Sequence, residues 1–145
     1  MASAVSLPPD HLRAVDLFNR GRYLPAQKLW LKLSEERPAE YGFFYGLLTY
    51  SSGIAVLLTA RTGLGSRRLF ELSAQHLQAF RPWHLGIDVD HVLKVLARLE
   101  ELSHSLAAKL PKDYDPLDHE PGTAWPGAPD LAGIVPGVAL TIEYT

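Results

Sequence analysis

Tyr41-Gly42-Phe43-Phe44-Tyr45-Gly46-Leu47-Leu48-Thr49-Tyr50 runs straight on into Ser51-Ser52-Gly53-Ile54-Ala55-Val56-Leu57-Leu58-Thr59-Ala60, twenty residues without a charge, bounded by Glu40 and Arg61. Coiled as an α-helix this stretch is about 30 Å long, the thickness of a bilayer's hydrocarbon core. It is either a membrane span or the central helix of a bundle folded in water. Thr49, Ser51, Ser52 and Thr59, with three glycines and three tyrosines, make its transfer into lipid marginal. The composition therefore favours a hub helix surrounded by others. Gly42, Gly46, Thr49 and Gly53 recur at i, i+4, i+7 and i+11. Such a stripe of small residues lets a second backbone approach closely, within the bundle or across a dimer seam.

On the N-terminal side, Gly21-Arg22-Tyr23-Leu24-Pro25-Ala26 continues through Trp30 to Pro38, and a looser echo runs from Gly65 through Leu69, Phe70 and Phe80 to Pro82. A glycine that ends one helix, residues that dock the next and a proline that stops it are the parts of a helical hairpin. Helix one is expected over Pro9–Arg20, with Leu12, Val15, Leu17 and Phe18 on its apolar face. Helix two runs from Leu24 to Glu36, with Pro25 tolerated in its first turn and Ala26, Leu29, Trp30 and Leu33 buried. Helix four should start near Ser66 and stop before Pro82, with Leu69, Phe70, Leu72, Leu77 and Phe80 as core. Helix five begins at Asp88 as N-cap and reaches Leu110, with Val92, Val95, Leu96, Leu99, Leu102, Leu106 and Leu110 as its stripe and Asp90–Lys94 as an i,i+4 pair.

Past Pro111 the pattern changes. Six of the eleven prolines fall in residues 111–145, which rules out a long regular helix. Yet Val138, Leu140, Ile142 and Tyr144 alternate with Ala139, Thr141 and Glu143, a strand-like period of two. A lone strand needs a partner; this one either pairs with a second subunit or lies extended in a groove between helices. The reading is an all-α, single-domain bundle over 1–110, helices three and five central, with an extended acidic Pro-rich tail over 111–145.

Size and composition are those of an ordinary globular domain. There is no cysteine, which removes disulfides, thiolate metal sites and cysteine catalysis and fits a reducing cytoplasm. Met1 to Pro9 carries no basic residue or apolar run and does not read as a signal peptide. Residues 1–87 hold ten Lys/Arg against six Asp/Glu, and residues 88–145 hold four against ten. The positive half could meet nucleic acid, but its charges are scattered rather than clustered, and the acidic half is a nearer counterpart.

Phe18-Asn19-Arg20-Gly21-Arg22-Tyr23, then Ala26, Phe44-Tyr45-Gly46-Leu47-Leu48 and Leu85-Gly86-Ile87-Asp88-Val89 together resemble the small helical proteins of domain-of-unknown-function family 309, over roughly residues 10–105. The resemblance implies a compact all-helical bundle, found mainly in prokaryotes, with no established activity. The family's acidic residues and His on helix two are replaced here by Pro25, Gln27, Lys28 and Leu31, so no acid–base or metal role carries over. Gly21-x-Tyr23-x-x-Ala26 with Pro38 also resembles a tetratricopeptide hairpin, but the two frames start 44 residues apart rather than 34.

Three candidate sites remain. Arg22, Tyr23 and Tyr45, among the aromatics of helices two and three, could line a small-molecule pocket, though aromatics at helical spacing are more often core. His84, Asp88, Asp90 and His91 crowd eight residues and could hold a metal; capping and loop ordering account for them more simply. Arg20, Arg22, Arg67 and Arg68 sit near the two hairpin turns and could form a cationic rim, with Asp113, Asp115, Asp118 and Glu120 as possible counter-charges. No phosphate loop or nucleophile motif appears, so no catalytic residue, metal or cofactor is assigned. The histidines are expected mostly at helix surfaces and loops. The function expected is a non-enzymatic interaction or scaffold module, self-associating through the small-residue stripe or the tail, with membrane and nucleic acid disfavoured.

Overall fold

The computed structural model describes residues 7–59, 64–108 and 139–142. They form α1 (Pro9–Asn19), α2 (Tyr23–Glu36), α3 (Tyr41–Thr59), α4 (Leu64–Leu77) and α5 (Val89–Ala108), with a minimal antiparallel hairpin, β1 (Trp83–His84) and β2 (Ile87–Asp88), between the last two helices. Single 3-10 turns at Pro38–Glu40 and Gln78–Phe80 lead into α3 and out of α4. The architecture is an all-α bundle. The Pro-rich stretch 111–138, the tail's acidic residues and the ends of the alternating stretch, Val138 and Tyr144, lie outside the described residues.

Local chemistry accounts for the ends of these helices. Pro9 occupies the first turn of α1, where its missing N–H costs nothing. At the other end Gly21 has φ +79°, Gly21 N–H reaches Phe18 O at 3.0 Å and Arg22 N–H reaches Leu17 O at 2.9 Å. That is the paired closure of a Schellman motif, and it needs the left-handed backbone that glycine supplies. α2 then starts one residue earlier than expected, at Tyr23, with Pro25 still in its first turn. Asp88 caps α5 through its Oδ1, which accepts the His91 N–H at 3.0 Å.

α3 is the hub. Phe43, Phe44, Leu47, Tyr50 and Ile54 are fully buried, and α2 and α4 flank it. By length and composition it is the single described helix that could cross a membrane, with mean hydropathy 1.3, and more than half of it is buried in the fold. Its small-residue stripe faces α4. A Cβ on Gly46 would meet Leu77 at 2.7 Å, and one on Gly53 would meet Phe70 at 2.5 Å. The close approach the glycines permit is thus made inside the bundle. Ser73 Oγ on α4 crosses the same seam and donates to Gly46 O at 2.7 Å.

Several expectations need correction. α5 is not central: it packs on α4, while His91, Lys94, Ala97, Arg98, Glu101 and His104 are exposed. The close packing runs between helices adjacent in the chain, α1 to α2 through to α4 to α5. α4 begins at Leu64, two residues early, and its buried line is Ser66, Phe70, Ser73 and Leu77. Ser66 and Ser103 pair hydroxyls across α4 and α5 at 3.0 Å, which lets both polar side chains sit in the interface. The face of α1 is His11, Ala14, Val15 and Phe18, with Leu12 and Leu17 only half-buried. Asp90 turns to Arg81 at 2.5 Å rather than to Lys94.

Candidate functional site

Arg22 and Tyr23, at the start of α2, border an open groove of about 640 Å³ against Ser52, Ala55, Val56 and Leu58 of α3. Tyr45 is not in it. It lies seven residues before Ser52, two helical turns or about 10 Å along the axis. Its ring stacks on Tyr41 at 5.4 Å and meets His76 of α4 edge-on at 4.9 Å. The structure therefore does not assemble the trio Arg22, Tyr23 and Tyr45. Tyr23 instead packs edge-on against Phe18, with its carbonyl accepting from Ser51 Oγ at 2.9 Å. Burial raises its phenol above the ordinary pKa. Among the rim arginines, Arg20 pairs with Asp16, and Arg67 and Arg68 share Glu71.

The four polar residues at the head of α5 do not converge either. His84 turns away to Glu40, its Nε2 donating to Oε2 at 2.5 Å, while Arg37 Nη2 holds the other carboxylate oxygen at 2.6 Å. Phe43 and Phe80 stand against the imidazole, with centroids at 4.6 and 4.9 Å. Asp88 is the helix cap and Asp90 the partner of Arg81. Among the described residues no group of three His, Asp or Glu side chains is placed to share a metal ion.

A polar centre that sequence reasoning missed lies under the hairpin. His11 is fully buried. Its Nδ1 accepts from Trp30 Nε1–H at 3.1 Å, and its Nε2–H donates to Leu85 O at 3.1 Å. Both ring nitrogens are used, which fixes one neutral tautomer. Burial drives its pKa down to about 4; the hydrogen bond to Leu85 opposes this only in part, and His84 and Arg37 nearby push the same way as burial. Leu85 itself has φ +44° and is followed by Gly86 at +79°, the two left-handed positions of a tight hairpin turn. A non-glycine residue is strained there, and His11 grips the carbonyl of that residue. The available signal was spacing: His11 precedes Val15 by four and Phe18 by seven, squarely on the buried face.

The most specific recognition of a chain segment is at the C-terminal end. Asn19, the last residue of α1, holds the backbone of residue 140 at both of its polar groups: Asn19 Nδ2 donates to Leu140 O at 2.6 Å, and Leu140 N–H donates to Asn19 Oδ1 at 2.8 Å. Leu140 is buried and Ile142 half-buried against the core, while Ala139 and Thr141 face outward. Over these four residues the alternation follows the sequence pattern, but the segment pairs with a side chain and not with another strand. The segment sits in a slot between Asn19, Ile87 of the hairpin and Asp88, His91 and Val92 at the head of α5, and beside Ala139, Leu140 and Thr141 about 360 Å³ of that slot is left open. An asparagine amide presents an N–H and a carbonyl oxygen side by side, as a backbone partner does, so it can stand in for a neighbouring strand. No model of a protein family, no curated protein and no solved structure matched this chain.

Proposed function

We propose that this chain is a non-enzymatic interaction module of helical hairpins, acting in the cytoplasm, whose binding face is the slot between the end of α1, the hairpin and the head of α5. The observation that carries the reading is the two-bond grip of Asn19 on the residue-140 backbone. Contacts to backbone supply attachment, and the pocket for every second side chain supplies selectivity. The ligand class is an extended segment with apolar residues two apart, as Leu140 and Ile142 are here. Two net hydrogen bonds of about 1 kcal/mol each and one buried leucine of roughly 2 kcal/mol sum to about 4 kcal/mol before the cost of association, so the site is weak, no tighter than about millimolar for a free peptide.

The test displaces the resident segment. In the full chain carrying Leu140→Asp, the charged side chain cannot stay buried, and the slot opens. A synthetic peptide of Val138–Thr145 should then shift the Asn19 side-chain amide resonances on titration, and adding Asn19→Ala should abolish the binding. An amide signal that ignores saturating peptide in a folded Leu140→Asp chain would dismiss the slot as a binding face.

A further inference from the structure

We infer that the partner of this slot is the same segment on a second copy of the chain, and that two copies exchange residues 139–142 reciprocally. The inference rests on the slot accepting an extended chain; what it adds is whose chain. The fit of that segment is already in view: two hydrogen bonds to its backbone, a buried Leu140 and a half-buried Ile142. Every copy carries it, and exchange conserves each of those contacts. Nothing in the grip identifies the segment as belonging to the same molecule.

Three further observations support exchange. Among the described residues the segment is fastened by two hydrogen bonds, a buried Leu140 and a half-buried Ile142, so it leaves the slot more readily than the bundle unfolds. Thirty residues, 109–138, lie between it and α5, a length of chain that can span at most about 100 Å. Charge is complementary between the tail that crosses and the body that receives it: residues 1–108 hold twelve Lys/Arg against ten Asp/Glu, +2, and residues 109–145 hold two against six, −4. The acidic tail of one copy is therefore attracted to the body of another. Reciprocal exchange is isologous and closes on itself, so it stops at a dimer and does not propagate.

Complementation tests the exchange. Asn19→Ala disables the slot and leaves the segment intact; Leu140→Asp disables the segment and leaves the slot intact. Sedimentation of the wild-type chain should show an apparent mass rising from 16.0 kDa toward twice that value with concentration. Each variant alone should remain at the lower mass, and an equimolar mixture should recover association through the single slot–segment pair left, which can form only between molecules. In the mixture, isotope-labelled Leu140→Asp should show its Asn19 amide moving as unlabelled Asn19→Ala is added. If either substitution lowers the melting temperature enough to unfold the chain, Asn19→Ser and Leu140→Asn replace them. A wild-type chain that stays monomeric at millimolar concentration overturns the inference. So does a mixture that fails to associate although the free peptide binds Leu140→Asp, an outcome that leaves the slot standing. Single variants that dimerise as well as wild type also overturn it, since their interface then lies elsewhere. Failure of the peptide itself removes the slot and the exchange together.

Discussion

At the residue scale the buried imidazole of His11 governs most. The sequence carried its address but not its role: position 11 is on the apolar face of α1, and nothing in a single histidine says that a tryptophan N–H and a strained carbonyl will meet it from 19 and 74 residues away. Its titration gives a pH dependence whose sign is fixed. Unfolded, the group titrates near 6.5; folded, near 4. Below pH 6.5 the unfolded chain binds the extra proton, so the stability present above that pH is lost as pH falls through the window from 6.5 to 4. The loss is about 2 kcal/mol at pH 5 and about 3 kcal/mol below pH 4. Denaturant midpoints at pH 8 and pH 5 should show this drop, and His11→Leu should flatten the His11 part of it. The same variant should cost about 2–4 kcal/mol at pH 8, because Trp30 Nε1–H and Leu85 O would be left buried without a partner. A wild-type midpoint unmoved between the two pH values would contradict the neutral, buried imidazole.

At the scale of elements, the helices were readable because each carries its own punctuation. Gly21, Pro38, Asp88 and the apolar stripes placed four of the helices to within a residue or two. The hairpin was not readable. Two-residue strands are too short to show a period, and the turn offers only Gly86 as a signal, since Leu85 is an unfavoured residue for a left-handed position. The glycine stripe was legible as a close approach, but its partner was not, because the same small residues serve an α4 neighbour or a second molecule equally well. Its burial against Leu77 now makes a definite expectation. Gly46→Leu should destabilise the chain by about 1–3 kcal/mol through overpacking, read as a lower melting temperature, whereas the association described above should survive in the folded fraction. An unchanged melting temperature would mean that α3 and α4 do not meet there.

At the scale of the molecule, the neutral helix works as the core's axis. It is hydrophobic enough to be mistaken for a span, yet its sides are taken by α2 and α4, and Tyr41 at its start is about half exposed. On detergent phase separation the folded chain should partition into the aqueous phase, and recovery from the detergent phase would reverse the reading of α3. Which segment would cover which groove lay beyond the sequence: Asn19 and Leu140 are 121 residues apart, and neither residue type announces the other. The alternation over 138–144 was visible as a demand for a partner; for the described residues 139–142 the backbone partner is the Asn19 amide.

The order in which helices meet has a consequence for synthesis. Each packs chiefly on the one before it, so the early loop closures are short and the fold can assemble rapidly from its N-terminus. Asn19, the hairpin and the head of α5 are all translated well before Leu140. A nascent chain therefore presents its slot before its own residues 139–142 exist, and the segment can dock only after the rest of the chain has been made.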